Sequence, residues 1–204
     1  ATTEIYTLSL HDALPISSNT VAGYASCGAG IGPTAIDQVV GVVKAYTTRV
    51  GNGPFPTELL DETGDTLRKI GNEYGATTGR NRRCGWFDAP VVRKAAVVNG
   101  LTHLAITKLD VLDTFDTIKI CTHYECDGEK IENFPNQLSK VGRCVPVYEE
   151  MPGWKCDTTK CRKLSDLPEN ARKYLDRMAE LVGVKIGMIS IGAKRDQSII
   201  VDLD

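Results

Sequence analysis

Apolar residues recur at two different spacings along this chain. Ala171, Tyr174, Leu175, Met178, Leu181 and Val182 form one helical stripe. With Pro168 near its start and Gly183 as a stop, this spacing predicts a helix over Ser165–Val182. Ile36, Val39, Val40, Val43 and Tyr46 also recur at helical spacing behind Pro33, which predicts an amphipathic helix over about residues 34–48. A short helix is expected over Leu59–Glu73. Another opens at Pro90, with Val91, Val92, Ala95, Ala96 and Val98 apolar, and closes at Asn99-Gly100. The second spacing is the short continuous apolar run. Leu104–Thr107 reads as a buried strand running into Lys108-Leu109-Asp110, and VKIGMISIG as another ending in Ser190-Ile191-Gly192. Thr117–Tyr124, followed by Asp127-Gly128, reads as a hairpin. SSNTVAGYASCGAGIGP and Val50–Glu58 are turn-rich instead.

Two helix-to-strand units therefore end in polar loops. That alternation predicts an α/β fold with a mostly parallel sheet and flanking helices. In such sheets ligands bind beyond the carboxyl ends of the strands, which singles out Lys108, Asp110 and Ser190. A length of 204 residues suits one domain, or two small ones.

Composition narrows the function classes. Hydrophobic residues at 42% and charged residues at 25% suit a soluble globular chain. No apolar run approaches the roughly 18 residues of a membrane span. A formal charge of -2 argues against nucleic-acid binding by bulk charge. The packed arginines Arg80, Arg82 and Arg83 must then serve local chemistry. Cys27, Cys84, Cys121, Cys126, Cys144, Cys156 and Cys161 are odd in number and scattered, without a C-x-x-C pair. Cys121-Thr-His123-Tyr-Glu-Cys126 comes nearest to a metal cluster, but zinc knuckles are tighter. The plainer reading is reduced thiols of a cytosolic protein, partly core filler.

Three features can carry chemistry. A carboxylate at a strand end accepts two N–H bonds at once, and guanine offers two adjacent donors, N1–H and the N2 amine. A lysine stem can cover a flat ring while its charge stays wet. Lys108-x-Asp110 is therefore chemically apt for guanine, but on these residues alone a plain surface pair is the favoured reading. In ATTGRNRRCGWFD, Thr77 and Thr78 offer hydroxyls and Gly79 allows close backbone approach. The guanidinium groups can grip carboxylate or phosphate bidentately. The alternatives are a salt-bridge network with Glu73 and Asp88, or a solvated turn. His103 and His123 have no nameable catalytic partner and read as structural.

SSNTVAG, GPTAIDQVVGVVKAYTTRVGNGPFPTEL, GNEYGATTGRNRRCGWFD, NGLTHLAITKLDVLD, PVYEEMPGW and ISIGAKRDQSI follow one another in this order. Together they resemble the C-terminal half of adenylosuccinate synthetase, from Ser17 to about Ile199. The resemblance implies a P-loop GTPase-like fold and a magnesium-dependent, GTP-driven ligation of inosine monophosphate (IMP) and L-aspartate to adenylosuccinate. It also implies a cytoplasmic homodimer in AMP and purine biosynthesis. By resemblance, Ala76, Thr77, Thr78, Gly79, Arg80, Asn81 and Arg82 form the aspartate-binding loop. Arg80 also meets the IMP ribose, and Arg82 reaches toward GTP. Val50 lies at the IMP ribose. Lys108, Leu109 and Asp110 form the guanine-specificity motif, and Ser190, Ile191 and Gly192 line the same pocket.

The family's phosphate-binding Gly-rich loop, catalytic aspartate, catalytic histidine and magnesium ligands belong to its N-terminal half. They have no counterpart here, and Ile16 stands where the family has a threonine. The expectation is an incomplete fragment without catalytic residues or metal ligands of its own. Two domain calls follow: 17–204 is the C-terminal portion of the synthetase domain, and 1–16 is artefactual. TTEIYTLSLHDALPI resembles a translated sequencing adapter, so His11 and Asp12 are left out of any site. Two other readings compete: a standalone module that binds guanine nucleotide or aspartate without catalysis, and a Cys/His structural zinc or nucleic-acid protein. Partners expected from the family are IMP, L-aspartate and GTP, with no nucleic acid and no membrane.

Overall fold

In the computed structural model, which describes residues 5–6, 20–76 and 79–203, the region 34–48 is not a helix. A 3-10 turn, Pro33–Ala35, is followed by strand β2 (Val40–Lys44) and strand β3 (Thr47–Arg49). Valines at 39, 40, 42 and 43 satisfy a helical period, but they are β-branched and prefer a pleated surface. Burial alternates along β2, with Gly41 and Val43 inside, which is the period of a strand. Leu101 packs over Gly41: an added Cβ would sit 2.4 Å from Leu101 Cδ1, and the leucine would have to move.

Among the described residues the main sheet runs β1-β2-β6-β10-β11, with β1 at Ile5–Tyr6, β6 at His103–Thr107, β10 at Lys185–Ser190 and β11 at Ser198–Ile200. Strands β1, β2, β6 and β10 are mutually parallel, and only β11 is antiparallel. This is the mostly parallel α/β sheet that the helix–strand alternation predicts. Apart from Ile5 and Tyr6, the expectation for residues 1–16 falls outside the described residues.

The helices follow their caps. Helix α1 spans Tyr24–Ala29. Helix α2 spans Glu62–Ile70 and not 59–73, because the Asp61 carboxylate caps Thr63 N and Gly64 N. Its first turn is acidic and its last basic, as the helix dipole favours. Two short strands, β4 (Arg83–Gly85) and β5 (Phe87–Asp88), precede α3 (Ala89–Asn99), which Asp88 caps and left-handed Gly100 closes. Helix α5 covers Glu169–Val182; the expected start at Ser165 is taken by a 3-10 turn, Leu164–Asp166. Its buried stripe of Ala171, Tyr174, Leu175, Met178 and Val182 packs with Leu104, Ile106 and Ile189 in the main core.

A second sheet centres on β7 (Thr117–Cys126). It pairs with β5, with β8 (Glu129–Ile131) across the Asp127-Gly128 turn, and over its length with β9 (Val145–Pro152). A short helix α4 (Leu138–Val141) leads into β9. Cys121, Cys126 and Cys144 are buried beside Tyr124 in a small core of their own, so these thiols serve as packing. Among the described residues, no group of three or more His, Cys, Asp or Glu side chains could hold a metal. No described helix is long and apolar enough to cross a membrane.

Candidate functional site

Three adjacent parallel strands end at one edge of the main sheet. Lys44 pairs with Thr107 and Ile189 with Ile106, so Lys44, Lys108 and Ser190 leave the sheet side by side. Lys108 takes a left-handed conformation (φ 59°), uncommon for a side-chain-bearing residue. It turns the chain into a 3-10 turn, Leu109–Leu112, that carries Asp110. Behind that turn, buried Asp113 accepts from Trp154 Nε1 at 2.6 Å, Thr158 N at 2.8 Å and Thr158 Oγ1 at 3.0 Å. The turn is thereby fixed from its core side.

Asp110 Oδ1 is shielded from solvent and has no hydrogen-bond partner among the described residues. Burial pushes the Asp110 carboxyl above its ordinary range, opposed by its own backbone N–H and by Lys108. An orphaned buried acceptor is costly and rare, and calls for a donor that arrives from outside.

Glu73 organises the arginine side of this edge. Its carboxylate is fully buried. It accepts from Lys44 Nζ at 2.8 and 2.9 Å, Tyr46 Oη at 2.6 Å, Arg82 Nη1 at 2.8 Å and Lys108 Nζ at 3.0 Å. Burial alone would raise its pKa, but Lys44 and the other donors hold it at about 2. Burial in turn lowers the Lys44 ammonium, against the pull of Glu73. Lys108 also donates to Gly71 O. Its charge is therefore paired inward on Glu73, whereas the stem-over-ring picture leaves it to water.

The loop beyond Glu73 is closed at its base. Arg82 N donates to Glu73 O at 3.0 Å, Tyr74 bridges Asn81, and Gly75 N donates to Arg80 O at 2.8 Å. Gly79 N donates to Gly75 O at φ 65°, a backbone that favours glycine. Ala76, Gly79, Arg80 and Asn81 are exposed, while Thr77 and Thr78 lie outside the described residues. The alternative salt-bridge network is half right. Arg82 does pair with Glu73, but Asp88 is spent on the α3 cap and on Tyr124 Oη at 2.6 Å.

Arg83 pairs bidentately with Glu58 and donates to Gly51 O at 3.1 Å and Gly53 O at 2.8 Å. With Arg49 opposite Arg83 across the β3–β4 pair, Val50 is drawn to the foot of the arginine loop. On the other flank, Ser190 Oγ donates to Gly192 O at 3.1 Å and Ile191 N to Gln197 O at 3.0 Å. A Cβ on Gly192 would fall 2.3 Å from Gln197 Oε1. Leu109 and Ile191 are completely buried in the main core.

The structure thus gathers Arg82, Lys108, Asp110 and Ser190–Gly192 along one edge, while Val50 follows β3 in the separate β3–β4 pair. Sequence reasoning missed Lys44 and Tyr46, and met Glu73 only as a salt-bridge partner. His103 Nδ1 contacts Thr102 Oγ1 at 3.0 Å and His123 Nδ1 contacts Thr122 Oγ1 at 2.8 Å, each a neighbour in the chain.

Comparison with known proteins agrees with this architecture. The family model for adenylosuccinate synthetase matches residues 15–199. The adenylosuccinate synthetase of Carboxydothermus hydrogenoformans is 62% identical over 186 residues, which cover 91% of this chain and 44% of that protein. That of a Picosynechococcus species is 60% identical, covering 91% and 42%. The solved structure of fully ligated adenylosuccinate synthetase from Plasmodium falciparum superposes with a TM-score of 0.88 at 38% identity, covering 96% of this chain and 48% of that one. The chain thus spans less than half the length of these relatives.

Proposed function

The chain belongs to the adenylosuccinate synthetase family, and from that premise we propose that it is the ligand-gripping part of an enzyme joining IMP and L-aspartate at the expense of GTP. The enzyme would be a cytoplasmic homodimer of purine biosynthesis, with this chain as its C-terminal portion. In this reading residues 17–204 belong to one synthetase domain and residues 1–16 are foreign to it.

Asp110 Oδ1 carries the proposal. An unpartnered, buried carboxylate oxygen at the carboxyl end of a parallel strand matches the adjacent N1–H and N2 donors of guanine. Ser190 and Gly192 frame the base, with Leu109 and Ile191 packed behind them. Lys108 acts through its stem, since Glu73 holds its ammonium. Ala76–Asn81, with Thr77, Thr78 and Arg80, receives the aspartate carboxylate. Arg80 and Val50 face the IMP ribose, and Arg82 turns toward GTP. No step is assigned to magnesium in this part. We assign this chain binding and positioning, with the bond-making groups supplied by the rest of the protein.

Titration calorimetry of the chain tests this. GTP is expected to bind, ATP not, and Asp110→Ala to abolish the GTP heat. Equal binding of ATP, or an unchanged GTP affinity in Asp110→Ala, would overturn the guanine assignment. Turnover of IMP, aspartate and GTP by the chain alone would overturn the division of labour.

A further inference from the structure

Two buried thiols face each other away from the edge that carries the site. Strands β7 and β9 pair antiparallel, with Tyr124 opposite Pro146 and Glu125 opposite Val145. Continuing that register by one residue sets Cys126 opposite Cys144. Directly opposed residues have Cα atoms about 4.5–5.5 Å apart, inside the roughly 4.4–6.8 Å that a disulfide spans. The side chains also converge on one atom. Cys126 Sγ lies 3.8 Å from Lys140 O, with Asp127 Oδ2 as its nearer acceptor at 3.6 Å, and Cys144 Sγ donates to the same Lys140 oxygen at 3.4 Å. Cys121, the third thiol of this cluster, is engaged elsewhere: its Sγ donates to His123 O at 3.3 Å, and it faces Tyr148 across the ladder. A cavity of about 330 Å³ lies beside Lys140, lined also by Ile131, Pro135, Asn136 and Gln137.

We infer that Cys126 and Cys144 are a modification site, which a small disulfide of the glutathione class oxidises to an intramolecular cross-link. The Cys144 thiolate attacks one sulfur of the reagent. That S–S bond breaks and one small thiolate leaves. The Cys126 thiolate then attacks Cys144 Sγ of the mixed disulfide, and the second small thiolate leaves. The two cysteine protons end on the two departing thiolates. The cysteines are oxidised by two electrons, and the reagent is reduced to two thiols. Burial and the neighbouring Cys126 push the Cys144 thiol up to about 11, so oxidation accelerates with rising pH through the alkaline range. The cross-link closes the segment 127–143, which holds β8 and α4, and restricts the unfolded chain more than the folded one. This inference stands apart from the ligand assignments.

The test is to incubate the intact chain with oxidised glutathione at about pH 8.5, alkylate the remaining thiols and map the unreduced peptides by mass spectrometry. The expected result is a Cys126–Cys144 linked peptide that dithiothreitol abolishes, with an unfolding midpoint raised by roughly 6–12 °C. Cys126→Ser and Cys144→Ser should each lose both the peptide and the shift. Recovery of Cys126 and Cys144 as alkylated thiols while exposed Cys27 and Cys156 become glutathionylated would overturn the inference. So would a linkage of either residue to Cys121.

Discussion

Replacing Glu73 by glutamine tests the centre of the site. The carboxylate is fully buried, and three cationic side chains and one hydroxyl converge on it. Its pKa of about 2, against 4.5 for a free glutamate, corresponds to about 3 kcal/mol of stability. A second route gives a similar figure. Lys44 Nζ and Lys108 Nζ lie 2.8 and 3.0 Å from the same oxygen, so they are at most about 6 Å apart. Without the carboxylate their repulsion is about 3 kcal/mol at an effective dielectric constant near 20. Breaking a buried ion pair by removing one partner costs about 3–5 kcal/mol in general. Glu73→Gln should therefore lose about 3–5 kcal/mol in urea unfolding at pH 7. The sign with pH follows from the depressed folded pKa. The stabilisation is complete above the unfolded value of 4.5 and is lost as pH falls toward 2. The difference between wild type and variant should shrink over that interval. A loss under about 1 kcal/mol at pH 7, or a difference that ignores pH below 4.5, would refute the reasoning.

Asp88 should behave in the opposite sense. Burial raises its carboxyl to about 6, so between 3.8 and 6 the folded state holds more protons and stability climbs as pH falls. Asp88→Asn keeps an acceptor for the α3 cap and for Tyr124, and should flatten that climb, worth about 3 kcal/mol, in denaturant melts taken across the interval. Arg83→Lys should cost about 1–2 kcal/mol, because an ammonium cannot span both Glu58 oxygens and the Gly51 and Gly53 carbonyls. Hydrogen exchange at residues 51–53 should quicken in the same variant; unchanged protection there would remove Arg83 as the clamp on the Val50 loop.

Much of this molecule is written locally. The α5 stripe with Gly183, the α3 segment between Asp88 and Gly100, and the strands that end at Lys108 and Ser190 all follow from residues a few positions apart. Caps, turns and apolar period act over that range, so one sequence suffices to read them. The β2 valines show where this stops. Their spacing fits a helix and a strand alike, and the neighbouring strands that pair along both of its edges settle the choice. Glu73 is the sharper case. Nothing in Gly-Asn-Glu-Tyr-Gly announces that Lys44, Tyr46, Arg82 and Lys108 will meet on one carboxylate. A buried charge needs compensating partners from wherever the fold can deliver them, and that delivery exists only after the strands have paired.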